Sequence, residues 1–193
     1  MVFVSGVSKG CGGETEKRNK EITEKRHLKR NSILYNNHMR TRLATPADKE
    51  QISHLLDELI EETLVRGGAP TKYHLDHQKR DDMILELINR DDVKVFVVEN
   101  EGKLLALSDV FILPIIRRSI YHALIEDFVV TKSMRRKGIG TLLMQAIMDY
   151  CRKHNVKVIK LTSALELGPA HHFYEKLGGT FTEKLFRFDV KED

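Results

Sequence analysis

The sequence predicts an α+β domain: a mixed, mostly antiparallel central sheet flanked by helices, in the order β-α-α-β-β-β-α-β-α-β. Three observations predict it. Two helical stretches follow the first short strand with no strand between them, so the alternation of a doubly wound sheet is broken at once. Three strand-like stretches then run in succession between residues 93 and 130. Only after them does a helix–strand–helix alternation return.

Arg40-Thr41-Arg42-Leu43 alternates as a short strand. Thr45 suits a helix cap, Pro46 its first position and Asp48 its first turn. Ile52, Leu55, Leu56, Leu59 and Ile60 recur at helical spacing up to about Arg66, and Gly67-Gly68 ends that helix. A second helix is expected from about Asp76 to Arg90, with Met83, Ile84, Leu87 and Ile88 inward. Val93, Val95 and Val97 then repeat with period two. Glu99-Asn100-Glu101-Gly102 makes a hairpin turn, Lys103–Leu113 returns, and Tyr121–Val130 is a third strand with two carboxylates in an apolar run. A helix over 138–155 buries Leu142, Leu143, Ala146, Ile147 and Tyr150. Val156–Thr162 is a strand, Ala170–Leu177 a short helix stopped by Gly178-Gly179, and Phe181–Val190 a final strand or hairpin arm.

The 193 residues suit one domain with a tail. Residues 1–38 carry eight Lys/Arg and four Glu, a surplus equal to the whole chain's +4. They are expected to be a disordered charged tail, with Met39 as an alternative start, ahead of a domain over 39–193. The domain is neutral, so a nucleic-acid partner is not expected. Cys11 and Cys151 form neither a disulfide framework nor a metal site, and no Asp, Glu and His spacing supports a metal. No run approaches the ~18 apolar residues of a membrane span, and the opening Met1-Val2-Phe3-Val4 is too short for a signal peptide. A cytoplasmic protein without a membrane partner is expected, with a homodimer left open.

The chemistry concentrates in Arg135-Arg136-Lys137-Gly138-Ile139-Gly140-Thr141, between a strand and a helix. The first-turn amides of a helix lack partners within it and carry the positive end of its dipole, so an anionic phosphate is a natural occupant. Gly138 and Gly140 let a diphosphate approach the backbone, while Arg135, Arg136 and Lys137 add charge and Thr141 a hydroxyl. No G-x-x-x-x-G-K-[ST] is present, and Leu143 stands where a dinucleotide fingerprint needs its third glycine.

Residues 39–190 resemble the GNAT superfamily of N-acetyltransferases. The resemblance rests on Arg135, Gly138 and Gly140 in the pattern [Q/R]-x-x-G-x-[G/A], on Leu43–Asp48, on Ile125-Glu126-Asp127-Phe128-Val129-Val130, and on Ala170–Gly178. It implies a sheet whose fourth and fifth strands splay, with acetyl-CoA between them as cosubstrate. Phe128, Val129 and Val130 would follow the pantetheine through their backbone, and Arg135, Arg136, Lys137, Gly138, Ile139, Gly140 and Thr141 the pyrophosphate. It further implies Glu126 as the base that deprotonates an amine and Tyr174 as the acid that protonates the departing thiolate. Asp127 is the alternative base; strand alternation would turn it away from Glu126. The expected acceptor is a small-molecule primary amine, with a peptide or protein amine second and a non-catalytic acyl-CoA-binding module as the alternative of another class. A fainter likeness to aminoalkylphosphonate acetyltransferases rests on Ala170–Tyr174 and Phe186-Arg187-Phe188. His74, His77, Lys79, Arg80, Arg117 and Arg118 lie in the regions that choose the acceptor.

Overall fold

The computed structural model describes residues 39–65, 76–186 and 188; the expectations for 1–38, Gly67-Gly68, His74, Arg187 and Val190 lie outside the described residues. Five strands form one sheet in the order β1 (Met39–Leu43), β2 (Val93–Asn100), β3 (Lys103–Ile115), β4 (Ile120–Val130) and β5 (Val156–Leu161). The first four pair antiparallel and β4–β5 is parallel. β2 and β3 are joined by Glu101-Gly102, whose φ values of 51° and 79° give the left-handed pair that a two-residue hairpin requires.

Four helices cover the sheet: α1 (Lys49–Val65), α2 (His77–Asn89), α3 (Ile139–Lys153) and α4 (Gly168–Lys176). Both faces of β2 are covered, since adjacent Val97 and Val98 are each 0% exposed. Alternation assigns the faces. Val97, Leu107 and Val129 lie in one cross-strand row and pack with Ile52 and Leu55 of α1 and Ile84 of α2. The opposite face carries Phe96, Ser108 and Phe128 in one row, and Phe96 meets Tyr150 of α3 at 5.6 Å between ring centroids. Ile139, Leu143, Met144, Ile147 and Cys151 make α3's buried stripe.

The expected final strand is not formed among the described residues: 181–186 and 188 make no ladder with β5. Phe181, Phe186 and Phe188 are 84%, 78% and 87% exposed, so the apolar run there reflects no burial. Glu183 still reaches Lys160 of β5 at 2.9 Å.

Candidate active site

β5 pairs with β4 only over Tyr121–Ile125, so from Glu126 to Val130 the far edge of β4 has no strand neighbour among the described residues and a gap opens. The register against β3 slips at the same point. Ser108 faces Phe128 and Val110 faces Ile125, which leaves Asp109 opposite both Glu126 and Asp127. This is a β-bulge, a device concentrated beside active sites.

The bulge overturns the alternation expected for the two carboxylates. Ile125, paired with Val110, lies on the α3 face, so Glu126 turns to the face of α1 and α2. Asp127, two residues before Val129, turns to that same face. Asp109, two residues after Leu107, joins them, and its Oδ1 accepts the Asp127 N–H at 2.7 Å. Sequence reasoning missed Asp109; the polar pair Ser108-Asp109 inside an apolar strand was its only signal.

No Lys, Arg or His forms an ion pair with these three carboxylates among the described residues. Burial, then the charges of Asp109 and Glu126, push Asp127 up to about 7. Burial also raises Asp109, against the hydrogen bonds it accepts from bulge amides. Glu126 is exposed. A carboxylate that titrates near neutrality can accept a proton there and release it again.

The loop after β4 starts α3 without a side-chain cap, because its cap residue is Gly138 at φ 82°, ψ 0°. The contrast with α2 is plain: there Asp76 accepts the Lys79 N–H at 3.1 Å. Arg136 (φ 61°) and Gly138 are both left-handed, with Lys137 between them outside that region. Such alternation in φ turns backbone amides toward a common anion. Arg136 and Lys137 are exposed, Thr141 is half-buried, and Ile139 is buried in the core. Val129 likewise belongs to the core, so only its backbone could serve a ligand.

Tyr174 of α4 comes to the same place. Its ring meets Phe128 edge-on at 6.2 Å, and Phe173 meets Phe128 at 5.9 Å. Burial raises the Tyr174 phenol above its usual value, which keeps its proton in place at neutral pH. A Cβ on Gly140 would stand 3.3 Å from Phe173 and 3.6 Å from Phe128, so this glycine lets α3 start hard against the aromatic cluster. The structure thus gathers Phe128, Gly138, Gly140 and Tyr174 at the gap.

Arg135 departs from the expected geometry. Its guanidinium makes a two-pronged pair with Glu62 of α1 at 2.9 and 2.6 Å, and its Nε donates to the Val130 carbonyl at 2.9 Å. Arg80 is engaged by Asp57 at 2.7 Å and Ser53 at 2.5 Å, which ties α2 to α1.

Known proteins resemble this chain in sequence and in fold. The sequence profile described as the acetyltransferase (GNAT) family matches residues 53–179. The chain is 39% identical over 70 residues to the uncharacterised N-acetyltransferase YhdJ of Bacillus subtilis (strain 168), covering 36% of this chain and 49% of that protein. It is 36% identical over 91 residues to streptothricin acetyltransferase A of the same strain, covering 45% and 53%. The matched segment spans about half the length of these curated relatives. Among solved structures, a possible acetyltransferase from Clostridium difficile 630 superposes with a TM-score of 0.69 at 22% identity, over 81% of this chain and 100% of that one. The aminoglycoside acetyltransferase meta-AAC0020 from an uncultured soil metagenomic sample, in complex with sisomicin, superposes with a TM-score of 0.65 at 18% identity, over 81% and 98%. At these identities the structural likeness is one of fold.

Proposed function

The chain belongs to the acetyltransferase (GNAT) family, and from that premise we propose that it transfers an acetyl group directly from acetyl-CoA to the primary amine of a cationic small molecule. One observation carries the reading: the stretch of β4 that β5 leaves unpaired carries the carboxylate bulge, leads into the uncapped start of α3 and holds Phe128 against the half-buried Tyr174.

Acetyl-CoA would supply the activated thioester. Its pyrophosphate suits the first-turn amides of α3, with Arg136 and Lys137 beside them. The unpaired edge of Phe128–Val130 offers main-chain groups to the pantetheine. The amine must shed a proton before its nitrogen can bond to the acetyl carbon. Sequence reasoning put Glu126 first for that task. The bulge geometry supports dividing it: exposed Glu126 receives the ammonium, and Asp127, which titrates near 7, takes the proton. Tyr174 gives its proton to the sulfur as the C–S bond breaks.

The carboxylates also bear on the acceptor. Three acidic groups with no paired cation among the described residues suit a positively charged amine and repel an anionic one. That favours a cationic amine over an aminoalkylphosphonate, and both terminal nitrogens of Arg80 already donate to Asp57 and Ser53. One curated relative is named for streptothricin and one structural neighbour was solved with sisomicin, so antibiotics of those two kinds belong in the first acceptor panel.

The test is thiol release from acetyl-CoA across polyamines, aminoglycosides, streptothricin, amino acids and peptides. Release with a cationic small molecule, and its acetylated product, is the expected result. CoA binding without release on any amine would replace the enzyme reading with a binding module. Tyr174→Phe is expected to lower kcat about tenfold or more, with little change in KM for acetyl-CoA; an unchanged kcat would remove the acid role.

A further inference from the structure

Three carboxylates of α1 reach the donor loop: Glu61 meets the Lys132 ammonium at 3.2 Å at an exposed site, and Glu58 and Glu62, one turn apart, hold the loop more closely. Glu58 accepts the Thr131 hydroxyl at 2.8 Å and the Lys132 N–H at 2.9 Å. Glu62 takes both prongs of Arg135, whose Nε reaches back to the carbonyl of Val130, the last residue of β4. Glu58 and Glu62 therefore grip Thr131, Lys132 and Arg135 between the end of β4 and the start of α3. The grip is specific in shape, since a fork-to-fork Arg–carboxylate pair fixes orientation as well as distance. It also lies partly out of water, with side-chain exposures of 33% for Arg135 and 19% for Glu62.

This changes what Arg135 is for. A guanidinium whose three nitrogens all donate to Glu62 and Val130 has its planar fork turned onto α1. We propose that Arg135, Glu58 and Glu62 are positioning residues that set the pitch of the Arg136–Gly138 backbone for the donor's pyrophosphate, and that the Arg135 side chain is not itself a phosphate ligand. The proposal rests on the acetyl-CoA reading above. The physical reason is preorganisation: backbone amides bind an anion tightly only when already aimed at it, and a misplacement of about 1 Å can cost on the order of 10²-fold. Thr131, Lys132 and Arg135 are each bonded to carboxylates of α1, so the aim depends on them.

The experiment measures the dissociation constant of CoA by calorimetry on the full chain, together with KM for acetyl-CoA, KM for the amine and the unfolding temperature. Glu62→Gln is expected to weaken CoA binding about tenfold and raise KM for acetyl-CoA equally, leaving KM for the amine within about twofold. Glu58→Gln should do the same more weakly, and Glu50→Gln, exposed on the same helix, should do nothing. The exchange Glu62→Arg with Arg135→Glu is expected to recover most of the lost CoA affinity. A direct phosphate ligand behaves otherwise: Arg135→Gln would weaken CoA binding while Glu62→Gln left it unchanged, and the exchange would recover nothing. Either result overturns the proposal. A wild-type chain that binds no CoA would overturn the acetyl-CoA reading itself, a distinct outcome. Should Glu62→Gln unfold, the exchanged pair decides the matter alone.

Discussion

Two groups of carboxylates, at different places on the same sheet, show what a cation does for a fold and what its absence does for a site. At the β1 end, Arg42 lies between Asp48 and Glu99, bonded to them at 2.7 and 2.6 Å, and Arg40 adds a third contact to Glu99 at 3.0 Å. The Arg42 hydrogen bond, helped by the Thr45 amide and hydroxyl, holds Asp48 down at about 2 although the residue is buried. At the β4 bulge, Asp109 lies opposite Glu126 and Asp127 with no cation paired to them among the described residues, and Asp127 rises to about 7. The first group stabilises the fold when charged. The second opposes it when charged, and that opposition is what the proposed base requires.

The largest expected effect breaks the second group. Asp127→Asn should lower kcat/KM for the amine by about 10³-fold, roughly 4 kcal/mol of barrier, with KM for acetyl-CoA retained. Steady-state kinetics at pH 8 would show it. Next is the first group: Arg42→Ala leaves the buried Asp48 carboxylate without its partner and should cost about 3 kcal/mol in denaturant unfolding, with catalysis per folded molecule unchanged.

The third prediction sets the signs of the two groups against each other. Asp127 titrates at 3.8 unfolded and at about 7 folded. Below about pH 4 both states hold its proton, so the group is neutral to stability. As pH rises through that window the folded state alone keeps the proton and stability falls, until above 7 the full penalty of a few kcal/mol applies. Asp127→Asn should therefore raise Tm by roughly 5 °C at pH 8 and leave it unchanged at pH 4. Asp48 runs the other way. Its folded value lies below 3.8, so its contribution is present above pH 4 and fades as pH falls toward 2; Asp48→Asn should lower Tm at pH 7. The smallest effect concerns Glu126→Gln, expected to raise KM for a cationic amine about fivefold through one lost, solvent-exposed charge contact.

The sheet and its helices were legible because periodicity is local: the two-residue repeat of β2 and the helical stripe of α3 are written within a few turns of chain. The Gly138/Gly140 loop was legible for the same reason, as its spacing and its place before a helix are adjacent in sequence. What escaped depends on register. Asp109 meets Asp127 across 18 residues, and a one-residue slip between β3 and β4 decides which face each carboxylate takes. The Glu62–Arg135 pair spans 73 residues, so Arg135 read as a loop cation until α1 was placed beside it. The final strand, not formed among the described residues, is the converse case. Its apolar pattern was visible, but pattern alone does not supply a partner at the edge of β5.

The claim that an uncompensated carboxylate bulge drives acetyl transfer is met most directly by the pH dependence of kcat/KM for the amine, measured on wild type and on Asp127→Asn. The account predicts a wild-type acid limb that bends near pH 7 and disappears in the variant along with most of the rate. A variant that keeps both the limb and the rate would contradict it.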